Sequence, residues 1–491
     1  MIHHWIKVIR PQIYINMKIL YLFSFLIIPF TCCQTRASKL VVNNQQLKPR
    51  VVILTDIAPG DVEPDDMESM VRLLAHADQY EIEALIATGG WNSSGRAYPA
   101  EWMNSIFTAI DAYSKDLPNL MKRSNQKGFN SLEQENGKQK LGYWPSAAYL
   151  KSRVALGSTR LGMKEIGADN NTQGSDMIIR LVDESDERPL YISTWGGANT
   201  LAQAIWKVQQ TRTEKQLDKF LSKLCVYTIT DQDVGWDQRH TNYPFSSHQW
   251  MRREFEGKLK FIWDETAWLS QCGNGSKHWD SYAKYIQGHG YLGRVYPNFK
   301  YGVEGDTPSY LYITPNGLSN PQDPRQAGWG GYFEWGIGMD KETNCWTNHT
   351  GKAKEIAEKY ANYFYQAEFN DFAARMDWAE FGKGNRNPTV IVNGVSGIQS
   401  LAVKAKAGEK IKLDATKSID PDGDKLSVKW WQMTESGTYH KKLNIEDENS
   451  EYIYLNIPKD ASKHEIHIIC EVTDNGKPNL TSYRRIIISV K

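Results

Sequence analysis

The sequence has almost no net charge, little cysteine and no apolar run long enough to cross a membrane. Lys and Arg number 58 against 57 Asp and Glu. Nothing in that balance calls for a polyanionic partner, and no basic stripe marks a nucleic-acid surface. The six cysteines show no zinc-site spacing. Cys225 and Cys470 lie in strand-like runs and read as small core side chains, whereas Cys272 and Cys345 lie in loop-like sequence, where a disulfide between them is open in an oxidising compartment. The longest apolar run, Ile19 to Phe30, is too short for a membrane span. It follows Lys18 and precedes small and polar residues, the layout of a secretory signal. The expectation is a signal peptide over residues 1–36, with Met17 as an alternative start. Cys32 or Cys33 is a candidate site for a lipid anchor, so the mature chain is expected in the periplasm or on the cell surface.

What the chain does have is aromatic surface: 17 Trp and 25 Tyr, many in loop-like stretches, where flat faces suit sugar rings as well as packing. From about Lys48, β-branched apolar runs end in polar residues and pass into helical patterns. "RVVILTD", "IEALIATGGW", "LYISTWGGAN", "LCVYTITDQD" and "LKFIWDETAW" form this series. Continuous apolar strands alternating with helices predict an α/β domain, 46–383, with a mostly parallel sheet covered on both faces. Sites in such sheets form beyond the carboxyl ends of the strands. From Thr389 the pattern becomes short alternating strands without helices, which predicts an immunoglobulin-like β-sandwich over 387–491. Within it, Asp420, Asp422 and Asp424 of "SIDPDGDKL" fit either a calcium loop or a tight Pro-Asp-Gly turn.

The densest chemistry lies in "LTDIAPGDVEPDDMESM". Asp56 ends the first strand, and Asp65 and Asp66 open the next helix, where their charge also suits the helix N-terminus. Capping needs one or two carboxylates. Three or more converging on one crevice repel unless a cation joins them, and hard oxygen ligands without nearby His or Cys favour Ca2+ or Mg2+ over zinc.

This stretch resembles the calcium- and ribose-binding signature of the nucleoside hydrolases. "ISTWGGANTLAQAI" resembles that fold's second conserved strand–turn–helix element, and "EGDTPSYLY" resembles its late aspartate segment. The three occur in the family's order, and the similarity spans roughly residues 50 to 340. The layout is closer still to secreted bacterial proteins with a nucleoside-hydrolase-like domain and a C-terminal sandwich, some described as cellulose-binding. The resemblance implies Ca2+ held by Asp56, Asp66 and Asp306 with the backbone carbonyl of Asn199. It implies Asp56 as general base on a water and Asp65 as acceptor for a pair of sugar hydroxyls. Trp91, Trp195 and Trp236 follow strand ends and are candidates for a sugar platform, and Glu304 is a candidate second acid.

Three departures from the family pattern are visible. Leu54 stands at the first signature aspartate, Asp56 and Asp65 are separated by an inserted "APGDV" loop, and the sugar-binding stretch is replaced by "TITDQDVGWDQRHTNYPF". That segment carries Asp231, Asp233, Trp236, Asp237 and His240 instead. An aspartate-nucleophile phosphatase needs a second aspartate where Ala58 stands, which sets that class aside. The expectation is an exported, metal-dependent glycosidase-like hydrolase acting on a carbohydrate-derived substrate, against a carbohydrate-binding protein with a relict site. The substrate is a carbohydrate or glycoside, no nucleic acid is a partner, and the oligomeric state is open.

Overall fold

A computed structural model of the chain describes residues 46–93, 95–233 and 245–491. The expected signal segment, and Trp236, Asp237 and His240, lie outside the described residues. Among those described, no helix is long and apolar enough to cross a membrane.

The first strand, β1 (Arg50–Thr55), sits in the middle of an eight-stranded sheet. The other strands are β2 (Glu81–Ala87), β3 (Val154–Leu156), β4 (Leu190–Thr194), β5 (Leu224–Ile229), β6 (Lys260–Asp264), β7 (Glu334–Ile337) and β8 (Asn344–Thr347). The order is β3-β2-β1-β4-β5-β6-β8-β7, and every pairing is parallel except β7 with β8. Alternation along β1 explains why it reads as one apolar run. Val51 and Ile53 face a core shared with helices Asp65–Ala75, Asn104–Ser124 and Gly351–Phe381, while Val52 and Leu54 face a second core under helices Gln173–Asp183 and Asn199–Thr211. A strand buried on both faces has no solvated side to leave polar. Strand order changes direction between β1 and β4, the place where such sheets open a crevice beyond their carboxyl ends.

Leu54 belongs to that second core, fully buried, so the residue in place of the first signature aspartate packs under the sheet. The two loop-like cysteines are also separated by the sheet. Cys345 is buried in the second core and Cys272 packs against the first, and both are free thiols. The disulfide left open by the sequence does not form.

The C-terminal region is all-β. Strands β9 (Ile391–Val392) and β10 (Val395–Ser396) form a hairpin. A four-stranded sheet, in the order β11 (Leu401–Ala405), β16 (Thr481–Val490), β15 (Glu465–Thr473) and β13 (Ser427–Gln432), shares its core with the pair β12 (Lys410–Asp414) and β14 (Tyr452–Asn456). This region does not hang from a free linker. Tyr360 and Phe364 of the long helix Gly351–Phe381 pack on Trp431 and Tyr483, and buried Arg485 donates to the carbonyls of Leu318 and Ala327. Residues from Gln45 onward therefore make one compact unit. The Asp420–Asp424 turn joins this seam. Asp420 accepts from the backbone N–H groups of Asp422 and Asp424, and Asp422 pairs with Arg123 (2.6 Å) and Arg386 (2.8 Å). The segment forms a tight Pro-Asp-Gly turn whose central carboxylate, Asp422, is paired with two guanidinium groups.

Candidate active site

Beyond the carboxyl ends of β1, β4 and β5 lies a cavity of about 530 Å3. Asp56, one residue past β1, forms part of its floor and is 3% exposed. The approach to it is tight. A Cβ built on Gly90 would stand 2.1 Å from Asp56 Oδ2, and one on Gly196 would stand 3.0 Å from Oδ1, so the two glycines after β2 and β4 leave the carboxylate its room. Asn92 closes the arrangement by donating its side-chain amide to the Asp56 carbonyl.

Asp65 and Asp66 enter from the first turn of helix Asp65–Ala75, and Asp306 enters from the residue preceding helix Thr307–Leu311. One carboxylate oxygen from each lies within 4.8 Å of the others. Oxygens bound to one Ca2+ at about 2.3–2.6 Å stand at most about 5 Å apart, so the spacing suits a single cation. Asp306 Oδ2 is buried with no hydrogen-bond partner among the described residues, an unmet acceptor on a member of the cluster. Asp66 has one partner, the Thr55 hydroxyl, which donates to its Oδ1. The donor set is all carboxylate oxygen and fits a hard divalent cation.

Electrostatics point the same way. Burial, then the charge of Asp65, pushes Asp56 up to about 7. Asp66 and Asp306 are driven well above the usual carboxylate range by burial and by the other aspartates. Glu63, just past the inserted loop, also faces the cavity and is pushed to about 10 by burial and by Asp65. Five carboxylates here cannot all ionise unless positive charge joins them. Asp61, in the loop between Asp56 and Asp65, is exposed and outside the group.

The walls are aromatic. Trp91 and Trp268 stand edge to face with ring centroids 6.4 Å apart, and Tyr301 lies at the mouth, 71% exposed. Trp195 lines the cavity but is fully buried, its indole N–H donating to Ser193 and Ser309, so it is a fixed wall rather than a free platform. Gln232 ties two strand ends together, accepting from the N–H of Trp91 (3.2 Å) and donating to the carbonyl of Trp195.

Two expected residues are elsewhere. Glu304 is fully buried behind the cavity, with its carboxylate on Arg72 (2.6 Å), Tyr296 (3.0 Å) and Gln271 (3.2 Å). Its left-handed backbone (φ 56°) and its N–H bond to Glu68 turn the chain towards Asp306. It is a strut behind the site and does not line the cavity. Asn199 is the first residue of its helix, so its carbonyl belongs to the helical ladder, and its amide is spent on both backbone groups of Gly162. It does not line the cavity. Asp233 is also structural, accepting from the N–H groups of Ser247, His248 and Ala198.

Residues 50–333 match the family described as "Cellulose-binding Sde182, nucleoside hydrolase-like domain", more than half of the chain. The chain belongs to the Sde182 family. Residues 410–490 match the C-terminal domain described for the cellulose-binding protein Sde0182, in agreement with the all-β region. A solved structure from Saccharophagus degradans, described as a nucleoside hydrolase-related hypothetical protein associated with carbohydrate metabolism, is 33% identical. That match covers 90% of this chain and 100% of the other, with a TM-score of 0.76. Partial matches to the PKD domain of the KIAA 1837 protein (19% identical, 19% of this chain and 81% of the other, TM-score 0.15) and to human CDH23 EC21-23 (14% identical, 21% and 33%, TM-score 0.16) carry no argument. No curated protein matches. The nucleoside-hydrolase-like sheet and the C-terminal sandwich expected from the sequence are therefore both present in this Sde182 member. Sequence reading overlooked Glu63, Gln232, Trp268 and Tyr301, which converge only through the fold. Glu63 alone carried a local signal, standing two residues before Asp65.

Proposed function

We propose that this protein is an exported, divalent-metal-dependent glycosidase-like hydrolase that cleaves a glycosidic bond in a carbohydrate-derived substrate. The observation that carries this reading is the convergence of Asp56, Asp65, Asp66 and Asp306 under aromatic walls in one cavity at the strand ends. Family descriptions that name cellulose binding, and a relative associated with carbohydrate metabolism, support a glycan over a nucleoside.

Asp65, Asp66 and Asp306, whose carboxylate oxygens converge, would hold Ca2+ with Asp56 beside them, and the bound ion would supply Lewis acidity and lower the pKa of a water it holds. Asp56 takes the proton from the attacking water. Gly90 and Gly196 leave its carboxylate room in the floor of the cavity. Asp65 accepts hydrogen bonds from sugar hydroxyls and holds the ring against the floor, which sets the anomeric carbon for attack. Trp91 and Trp268 cover apolar ring faces and exclude bulk water. Lipid anchoring at Cys32 or Cys33 remains part of the proposal for where the protein works.

A second reading, glycan binding without turnover, is favoured by one observation: Leu54 packs in the core where the family signature has its first aspartate. One experiment separates the two. Wild type and Asp56→Asn are incubated with a glycan and nucleoside panel, with calcium or with chelator. Chelator-sensitive cleavage lost in the variant supports the hydrolase. Glycan binding retained by both proteins, with every substrate recovered intact, supports the binding protein.

A further inference from the structure

Asp56 stands in a slot between two loops, one carrying Gly90 after β2 and the other carrying Gly196 after β4. A Cβ on Gly196 would lie 3.0 Å from both Cβ and Oδ1 of Asp56, so this loop presses on the stem of the side chain as well as its head. The Gly90 loop grips from the other side, with Asn92 donating its side-chain amide to the Asp56 carbonyl. One backbone bond joins the loops, from the Gly197 N–H to the Gly89 carbonyl (2.7 Å).

Gln232 supplies a second tie. It lies three residues past β5, lines the cavity and is 7% exposed. Its one side-chain amide reaches both loops: Oε1 accepts from the Trp91 N–H (3.2 Å), and Nε2 donates to the Trp195 carbonyl. Each of those backbone groups is one residue from a glycine that touches Asp56. The pairing needs an acceptor and a donor on one head, which an amide has. A carboxylate would set an acceptor against the Trp195 carbonyl, and an apolar side chain would drop both bonds.

The chain is strained where it delivers this residue. Thr230, two positions earlier, is β-branched yet has φ 54°, a left-handed conformation that such side chains avoid. Its N–H donates to the Asp264 carbonyl (3.0 Å) and its hydroxyl to Glu265 Oε1 (2.5 Å), which pins the turn to the end of β6. Strain of this kind persists where surrounding contacts over-determine it, and it gathers at functional sites.

We infer that Gln232 is a positioning residue: its amide sets the spacing of the Gly90 and Gly196 loops, and with it the placement of Asp56 beside Asp65, Asp66 and Asp306. This rests on the proposed role of the cavity and adds the part that holds Asp56 in register. Both bonds of Gln232 go to the loops, so its effect on Asp56 runs through them.

The test is a double-mutant cycle of Gln232→Met and Asp56→Asn on the full mature chain, read as calcium affinity by calorimetry. Methionine keeps the length of glutamine and removes the amide donor and acceptor. Gln232→Met alone is expected to weaken calcium binding about tenfold or more, the usual cost of losing an outer support of a metal site. In the Asp56→Asn background it is expected to cost nothing further, because the group it positions is gone. Gln232→Asn, with both polar groups on a stem too short to span the loops, is expected to reproduce the loss and carries the cycle if the methionine variant does not fold. Equal losses in both backgrounds would mean that Gln232 supports the fold without acting through Asp56. Unchanged affinity would mean that the loops keep their spacing without it. Either result overturns the inference and leaves the proposed function standing. Wild type that takes up no calcium would overturn the metal-dependent reading and the inference with it, whereas an intact cycle with no glycoside cleaved would overturn the hydrolase alone.

Discussion

Cation binding to the carboxylate cluster should release protons, and the amount should depend on pH. In the cation-free protein Asp56 titrates near 7 and Glu63 near 10, both raised by burial and by Asp65. Asp65, Asp66 and Asp306 are raised as well. At pH 6 the cluster therefore carries protons that free aspartates, near 3.9, would have lost. A divalent cation restores the charge balance and expels them. About one proton or more should leave per cation at pH 6, and about one fewer at pH 9, where Asp56 is already ionised. The sign for stability follows. A carboxylate with a raised folded pKa favours the native state below the unfolded value, and that advantage is lost as pH rises through the folded value, here about 7 for Asp56. The cation-free protein should weaken between pH 4 and pH 8, and calcium should raise the melting temperature more at pH 8 than at pH 5. Calorimetry in two buffers of different ionisation enthalpy gives the proton count directly. A calcium affinity that is flat from pH 6 to pH 8, with no buffer dependence of the heat, would refute the clustering argument.

Other substitutions probe the supports of the site. Arg72→Met should cost about 3–5 kcal/mol in denaturant unfolding, because it leaves Glu304 buried without its partner at 2.6 Å. A loss under 1 kcal/mol would mean that Glu304 is not held as described. Gly90→Ala places a Cβ 2.1 Å from Asp56 Oδ2, so calcium affinity should fall about tenfold or more while the fold survives at a cost of about 1–3 kcal/mol. Unchanged affinity would show that Asp56 has room to spare. Asp422→Ala removes partly exposed pairs with Arg123 and Arg386, worth about 0–1 kcal/mol each, and should leave calcium stoichiometry unchanged. Loss of a bound calcium in that variant would revive the calcium-loop reading of its turn.

Much of this was legible in the sequence, and the rest was hidden for definable reasons. Strands β1, β2, β4, β5 and β6 show themselves because burial on both faces leaves no polar alternation, and each ends in polar residues. Strands β3 and β7 escape notice because three or four residues carry no period, and β7 is half exposed at the sheet edge. The acidic stretch after β1 announces a site since two of its aspartates are adjacent and one follows a strand. Glu304 looked equally available, yet its fate depended on Arg72, more than two hundred residues away. Asn199 does not reach the cavity for a local reason: it already lies inside the helix, one residue past the N-cap Ala198. Tyr301 and Trp268 bear no signal of their own, because a cavity wall is defined by what topology brings opposite it.

The most direct test of the central claim is oxygen transfer. Calcium-loaded protein is incubated with the best-bound natural oligosaccharide in 18O-labelled water, and the products are weighed by mass spectrometry. The account predicts one 18O at the new anomeric carbon, and no product in chelator or from Asp56→Asn. Label-free product, undiminished cleavage by the variant, or an oligosaccharide bound and recovered intact would contradict it.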